Sequence, residues 1–219
     1  MDCNDVTTFN VFLLDSPNST WISPNTERDG VCCGQTGKRC LRFIVHAHSD
    51  ATTISFNIAT PPIPPGQFYQ YECGDLVSAG QPLCVSGSGP HCIVYCKPGG
   101  DMSKYSITIS QTVHVSPDIG VNEGCSGLIW ASGLTTSSIQ WNSVYPGVYG
   151  EYNNYLSCTT ACDTTYIKVL AGYPPYIDFE VSGGLDAPCT GINIKDTVRV
   201  YFYSDLDLNI SPVDPVICF

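Results

Sequence analysis

Thirteen cysteines in 219 residues, none of them in a C-x2-C pair, constrain this chain more than any other feature. Structural zinc sites draw on such pairs, whereas the close spacings here are CC, C-x6-C, C-x10-C and two of C-x3-C. Disulfides are therefore the expected use, and disulfides place the chain in an oxidising, extracellular compartment. Residues 1–113 hold eight cysteines: Cys3, Cys32, Cys33, Cys40, Cys73, Cys84, Cys92 and Cys96. Residues 120–190 hold four, Cys125, Cys158, Cys162 and Cys189, which leaves Cys218 over. Even counts in each half are what two closed disulfide sets would give. Spacing alone leaves the connectivity open, since eight cysteines allow about 105 pairings and four allow about three. The expected pairs are Cys73–Cys84, which would close a glycine-containing loop, and Cys33–Cys40. Cys92 and Cys96 share one strand face but lie about 13 Å apart in an extended chain, so they need different partners.

Helix signals are nearly absent, and apolar residues recur with period two. Ile54, Phe56 and Ile58 alternate, as do Ile177, Phe179 and Val181, and again Val198, Val200 and Phe202. Further strands are expected over 9–14, 40–47, 91–96, 104–110 and 165–171. Turn clusters at 61–66, 86–90, 97–101 and 173–176 separate them. Many short strands at this spacing predict an all-β fold of two consecutive disulfide-braced β-sandwich domains, Ig-like or jelly-roll-like. The boundary is expected in "TVHVSPDIG" (112–119). It gives a first sandwich over 1–113 with eight cysteines, and a second, Ig-like one over 114–219 with four plus an unpaired Cys218.

Twenty acidic and nine basic residues give a net charge of −11. That field repels nucleic acid and anionic lipid, so neither is an expected partner. No run of 18 apolar residues is present, so no membrane insertion is expected. The chain opens Met1-Asp2-Cys3-Asn4 with no basic and apolar leader, and it ends abruptly at Cys218-Phe219. The expectation is a piece of a longer chain in which Cys218 pairs with missing sequence. Calcium suits the acidic charge, yet no D-x-[DN]-x-[DN]-G loop occurs, and no cofactor is expected. Asp205-Leu-Asp207-Leu-Asn209 reads as a guarded edge strand.

Three other features bear on function. His46, His48 and Asp50 would share one face of a continued strand and could hold a transition metal; the competing reading ends the strand near Ala47 and leaves them in a solvent loop. Trp141 and the tyrosines of "YPGVYGEYNNY" (145–155), namely Tyr145, Tyr149, Tyr152 and Tyr155, are candidate ligand contacts for a surface glycan. Trp130, in "LIWAS", reads as core. No G-x-S-x-G elbow is present, and Asp178 and Glu180 read as a solvated strand face rather than a glycosidase pair. No catalytic residue is expected.

Several phrases occur together: "STWISPNTERDGVCCG" (19–34), "PPGQFYQYECG" (64–74), "GQPLCVSGSGPH" (80–91), "CKPGG" (96–100), the long run 142–183, and "DTVRVYF" (196–202). The combination resembles the N-terminal region of very large, multi-domain Bacteroidota surface proteins exported by type IX secretion, similar in layout to gliding-motility adhesins. The resemblance implies a bacterial outer-surface location and an adhesive or structural role without catalysis. It implies, as partners, other domains of the same long chain or identical subunits. The resembled pattern carries a cysteine near Ser182 and another near Lys195, where this chain has none, and Cys92 is an addition to it.

Overall fold

The computed structural model describes residues 3–60, 68–74, 76–204 and 215–216, and the chain divides into two compact units, Met1–Thr112 and Val113–Phe219. The turn at 61–66, the Asp205–Asn209 alternation and Cys218 lie outside the described residues.

The first unit contains β1 (Cys3–Asn4), β2 (Thr8–Leu13), β3 (Ser19–Ile22), β4 (Val31–Cys32), β5 (Arg39–Ala47), β6 (Thr53–Thr60), β7 (Phe68–Tyr71), β8 (Leu76–Ser78), β9 (Pro82–Cys84), β10 (His91–Lys97) and β11 (Lys104–Ser110). They form a five-stranded sheet ordered β2-β5-β10-β7-β8, a four-stranded sheet ordered β3-β11-β6-β9, and a short β1-β4 ribbon. All pairings are antiparallel except β2 with β5. Alternation decides what faces inward. Leu41, Phe43, Val45, Ile93 and Tyr95 from the larger sheet are fully buried with Ile54, Phe56, Tyr105, Ile107 and Ile109 from the smaller. Phe56 lies at the centre, with ring centroids 5.1–5.9 Å from Phe43, Tyr69, Tyr95 and Tyr105. Burial pushes the hydroxyls of Tyr69 and Tyr95 up to about 12.

Arg28 is buried at the edge of this core. Its Nη2 donates to the Gly99 carbonyl at 2.8 Å and its Nη1 to the Tyr105 hydroxyl at 3.2 Å, and Asp101 pairs with it at 3.3 Å. A buried guanidinium held in this way ties the 99–101 turn to β11.

The opposite face of the larger sheet carries sulfur. On β5, Cys40 alternates away from Leu41 and Phe43, and on β10 the outward row is Cys92, Val94 and Cys96. Cys32, Cys40 and Val94 are buried there, with Cys3, Val6, Cys33, Cys73, Cys92 and Cys96 packed against them. The first unit therefore has a second, smaller core, built mainly of cysteine and covered by the β1-β4 ribbon.

In the second unit β12 (His114–Val115), β14 (Ser126–Ser132) and β16 (Thr164–Lys168) form one sheet. The other contains β13 (Ile119–Asn122), β15 (Gln140–Tyr145), β17 (Tyr176–Gly184), β18 (Asn193–Tyr203) and β19 (Pro215–Val216), ordered β15-β17-β18-β13-β19. Short 3-10 turns cover Thr136–Ser138 and Asn153–Tyr155. Ile177, Phe179, Val181, Val198, Val200 and Phe202 are buried, as the alternation requires. The two sheets meet closely at Gly127 of β14, where a Cβ would come within 2.7 Å of Ile119 and Val121 side chains. Any larger residue there would have to displace one of those side chains.

Here the tryptophans exchange the places expected of them. Ile129 and Ala131 point inward on β14, so Trp130 between them points out and is 37% exposed. Trp141 is fully buried, and its indole N–H donates to the Cys162 carbonyl at 3.0 Å.

Candidate functional site

All eight cysteines singled out from spacing, Cys33, Cys40, Cys73, Cys84, Cys125, Cys158, Cys162 and Cys189, are disulfide-bonded. The expected pairs are corrected. Cys33 bonds Cys73 rather than Cys40, Cys40 bonds Cys96, and Cys3 bonds Cys32. The reason is register: β5 and β10 place Cys40 opposite Cys96, and β1 and β4 place Cys3 opposite Cys32. Neighbours along the chain matter less than neighbours across it. Cys158 bonds Cys162 within one loop. Burial pushes the Cys92 thiol up, with Arg42 opposing.

Two tight turns present the Cys33–Cys73 bridge. Cys33 and Gly34 have φ of 59° and 67°, and the Gln35 N–H donates to the Cys32 carbonyl at 3.2 Å. Glu72 and Cys73 have φ of 50° and 60°, and the Gly74 N–H donates to the Tyr71 carbonyl at 2.7 Å. Successive left-handed residues closed by such a bond make type I′ turns. A pair of glutamines ties the turns together. Gln35 Nε2 donates to Gln70 Oε1 at 3.2 Å, and Gln70 Nε2 donates to the Gly74 carbonyl at 3.0 Å.

His48 and Asp50 meet, with Nδ1 3.7 Å from the carboxylate, but His46 does not join them. β5 ends at Ala47, the His46 ring stacks on Phe12 at 4.8 Å, and His48 Nδ1 accepts from the Asp50 backbone N–H at 3.2 Å. Among the described residues, the group whose donor atoms gather closely enough for a metal is Cys3, Cys32, Cys33 and Cys73.

The candidate aromatic contacts separate by burial. Trp141 and Tyr155 belong to the core, Tyr155 packing on Phe202 at 5.6 Å, so neither can meet a ligand. Tyr152 is half-buried against Tyr155. Tyr145 and Tyr149 are exposed, at 51% and 61%. Asn153 folds the loop back by accepting the Ser143 N–H at 2.8 Å.

Tyr145 then joins residues that spacing within its own loop does not reveal. Its ring stacks on Tyr176 at 5.4 Å, and Tyr176 lies 6.0 Å from Tyr201. Arg199 sits over Tyr176 at 4.2 Å and grips Asp178 through two bonds, of 2.7 and 3.0 Å. A hydrogen bond with Tyr145, then burial, pushes the Tyr176 hydroxyl up, and the bonds to Asp178 push the Arg199 guanidinium up. Beyond them Lys195 bonds Glu180 at 2.8 Å. The outward positions of β15, β17 and β18 thus bring three tyrosine rings together beside two ion pairs. Tyr176, Arg199 and Tyr201 were detectable as the alternate positions of "YIDFEVS" and "TVRVYFY". Asp178 and Glu180 each hold a cation.

No family model matches this chain, and no curated protein matches it. Among solved structures, the chain is similar to Drosophila N-cadherin EC1-3 at 9% identity and a TM-score of 0.31, over 93% of this chain and 66% of that one. It is also similar to the titin domains z1z2, solved in complex with telethonin, at 8% identity and a TM-score of 0.27, over 93% of this chain and 96% of that one. No helix among the described residues is long and apolar enough to cross a membrane.

Proposed function

We propose that this chain is a non-catalytic structural and adhesive module of a large secreted surface protein or extracellular fibre. The observation that carries the reading is the wiring of the sulfur layer. A pull on Cys3 passes through its bridge to Cys32, along eight residue steps to Cys40, and across the bridge to Cys96. Of the ninety-three steps of backbone between Cys3 and Cys96, eighty-five are bypassed. A module wired like this transmits tension without paying out its chain, which suits a surface protein dragged against a substratum. Stretching single chains with and without reductant tests the reading, and a first unit that lengthens equally in both states would sink it.

A bacterial surface location, with other domains of one long chain or identical subunits as partners, rests on the resemblance to type IX-secreted gliding-motility adhesins. Supporting that resemblance, β17 and β18 pair Ser182 with Lys195. These are the positions near which the resembled pattern carries two cysteines, and a bridge needs them to face one another.

A second reading, contact with a surface glycan, is favoured by the Tyr145, Tyr176 and Tyr201 face. Aromatic rings beside hydrogen-bonding ion pairs offer a sugar both its apolar face and its hydroxyls a partner. On a glycan array, Tyr176→Ala should remove binding by at least tenfold with the fold intact, whereas His46→Ala should leave it unchanged. An intact chain that binds no glycan ends this second reading and leaves the first standing.

A further inference from the structure

We infer that Cys3, Cys32, Cys33 and Cys73, once reduced, form a four-thiolate site for a soft divalent cation of the zinc class. The sulfur layer would then have a metal-bound state beside its disulfide state. All four Sγ atoms lie within 4.8 Å of one another. A Zn–S bond of about 2.3 Å places tetrahedral ligand sulfurs roughly 3.8 Å apart. Cys32 and Cys33, which belong to different bridges, already hold their Sγ atoms at 3.8 Å.

The scaffold for these sulfurs does not depend on the bridges alone. Cys3 and Cys32 are opposed by the β1-β4 register. Cys33 and Cys73 are presented by two type I′ turns, each closed by its own backbone hydrogen bond and joined by the Gln35–Gln70–Gly74 contacts. These contacts are non-covalent and persist after reduction while the unit stays folded, and a cation bound to the folded site favours that state. Cys3, Cys33 and Cys73 are part-exposed, so reductant and cation can reach them.

The chemistry balances with a dithiol as reductant. Two dithiol molecules supply four electrons and four protons, two protein S–S bonds break, and the dithiols leave as disulfides. One Zn²⁺ then displaces four thiol protons as four Zn–S bonds form. No C-x2-C spacing advertises such a site because its ligands come from three distant segments.

The test uses the full chain, reduced with dithiol, freed of reductant without air, and titrated with Zn²⁺. One zinc per chain is expected, with Cys3, Cys32, Cys33 and Cys73 shielded from alkylation in a mass-spectrometric map. Cys3→Ser with Cys73→Ser should weaken binding at least tenfold, and Cys158→Ser with Cys162→Ser should not. The map on the unsubstituted chain decides the matter even where a variant misfolds. No stoichiometric zinc, or shielding that falls on other cysteines, would overturn the inference.

Discussion

Complete reduction of the three mapped bridges in the first unit will bring it to the edge of unfolding. They close loops of 29, 40 and 56 residues, and the chain-entropy argument assigns each about 4 kcal/mol. The Cys33–Cys73 and Cys40–Cys96 loops interlace, so their contributions do not simply add. Even one and a half such contributions approach the roughly 5–15 kcal/mol by which a domain is stable at all. The Cys158–Cys162 bridge closes only four residues and is worth about 2 kcal/mol on the same argument. Urea titration with and without dithiol should therefore move the first unit's transition steeply toward zero denaturant. Removing Cys158 and Cys162 by serine substitution should move the second unit's transition far less. A reduced chain, verified by mass, whose first transition stays in place would contradict the ledger of bridges.

Trp141→Ala will destabilise the second unit by about 3–5 kcal/mol, the usual range for emptying a large buried aromatic site. The indole is fully buried, and its N–H is the donor to the Cys162 carbonyl, which would lose that partner. For a unit of this size each kcal/mol shifts the melting temperature by roughly 4–8 °C, so the loss should exceed about 12 °C by calorimetry. Trp130→Ala, at an outward position, should cost under about 1 kcal/mol. A large effect at Trp130 with a small one at Trp141 would mean that β14 and β15 are each out of register by one residue, because a one-residue slip exchanges the faces. The same contrast bears on ligand contact: loss of binding in Trp141→Ala would report unfolding rather than a missing contact.

The strands were legible because alternation is a local property. Ile54 to Ile58, Ile177 to Val181 and Val198 to Phe202 each lie on the buried side of β6, β17 and β18. Phase was harder to read in an apolar run. "LIWAS" contains inward and outward apolar residues together, and only Gly127 packed on Ile119 and Val121 sets which are which. The bridges were illegible for a different reason. Cys40 meets Cys96 through the β5-β10 pairing, and Cys33 meets Cys73 through two facing turns, 56 and 40 residues apart in the chain, and no local spacing encodes either. The aromatic face falls between these cases. Tyr176 and Tyr201 are visible as outward positions, but their contact depends on the β17-β18 register that sets them opposite each other. Tyr145 reaches them only because β15 lies beside β17.

Single-molecule extension of the chain, pulled from its two ends before and after reduction, tests the proposed path of force most directly. Oxidised, the path from Cys3 to Cys96 runs through eight residue steps, so unfolding the first unit should release roughly 300 Å less chain than after reduction, at about 3.6 Å per residue. Equal release in the two states would contradict the account, since it would mean that the bridges do not lie on the path that carries the force.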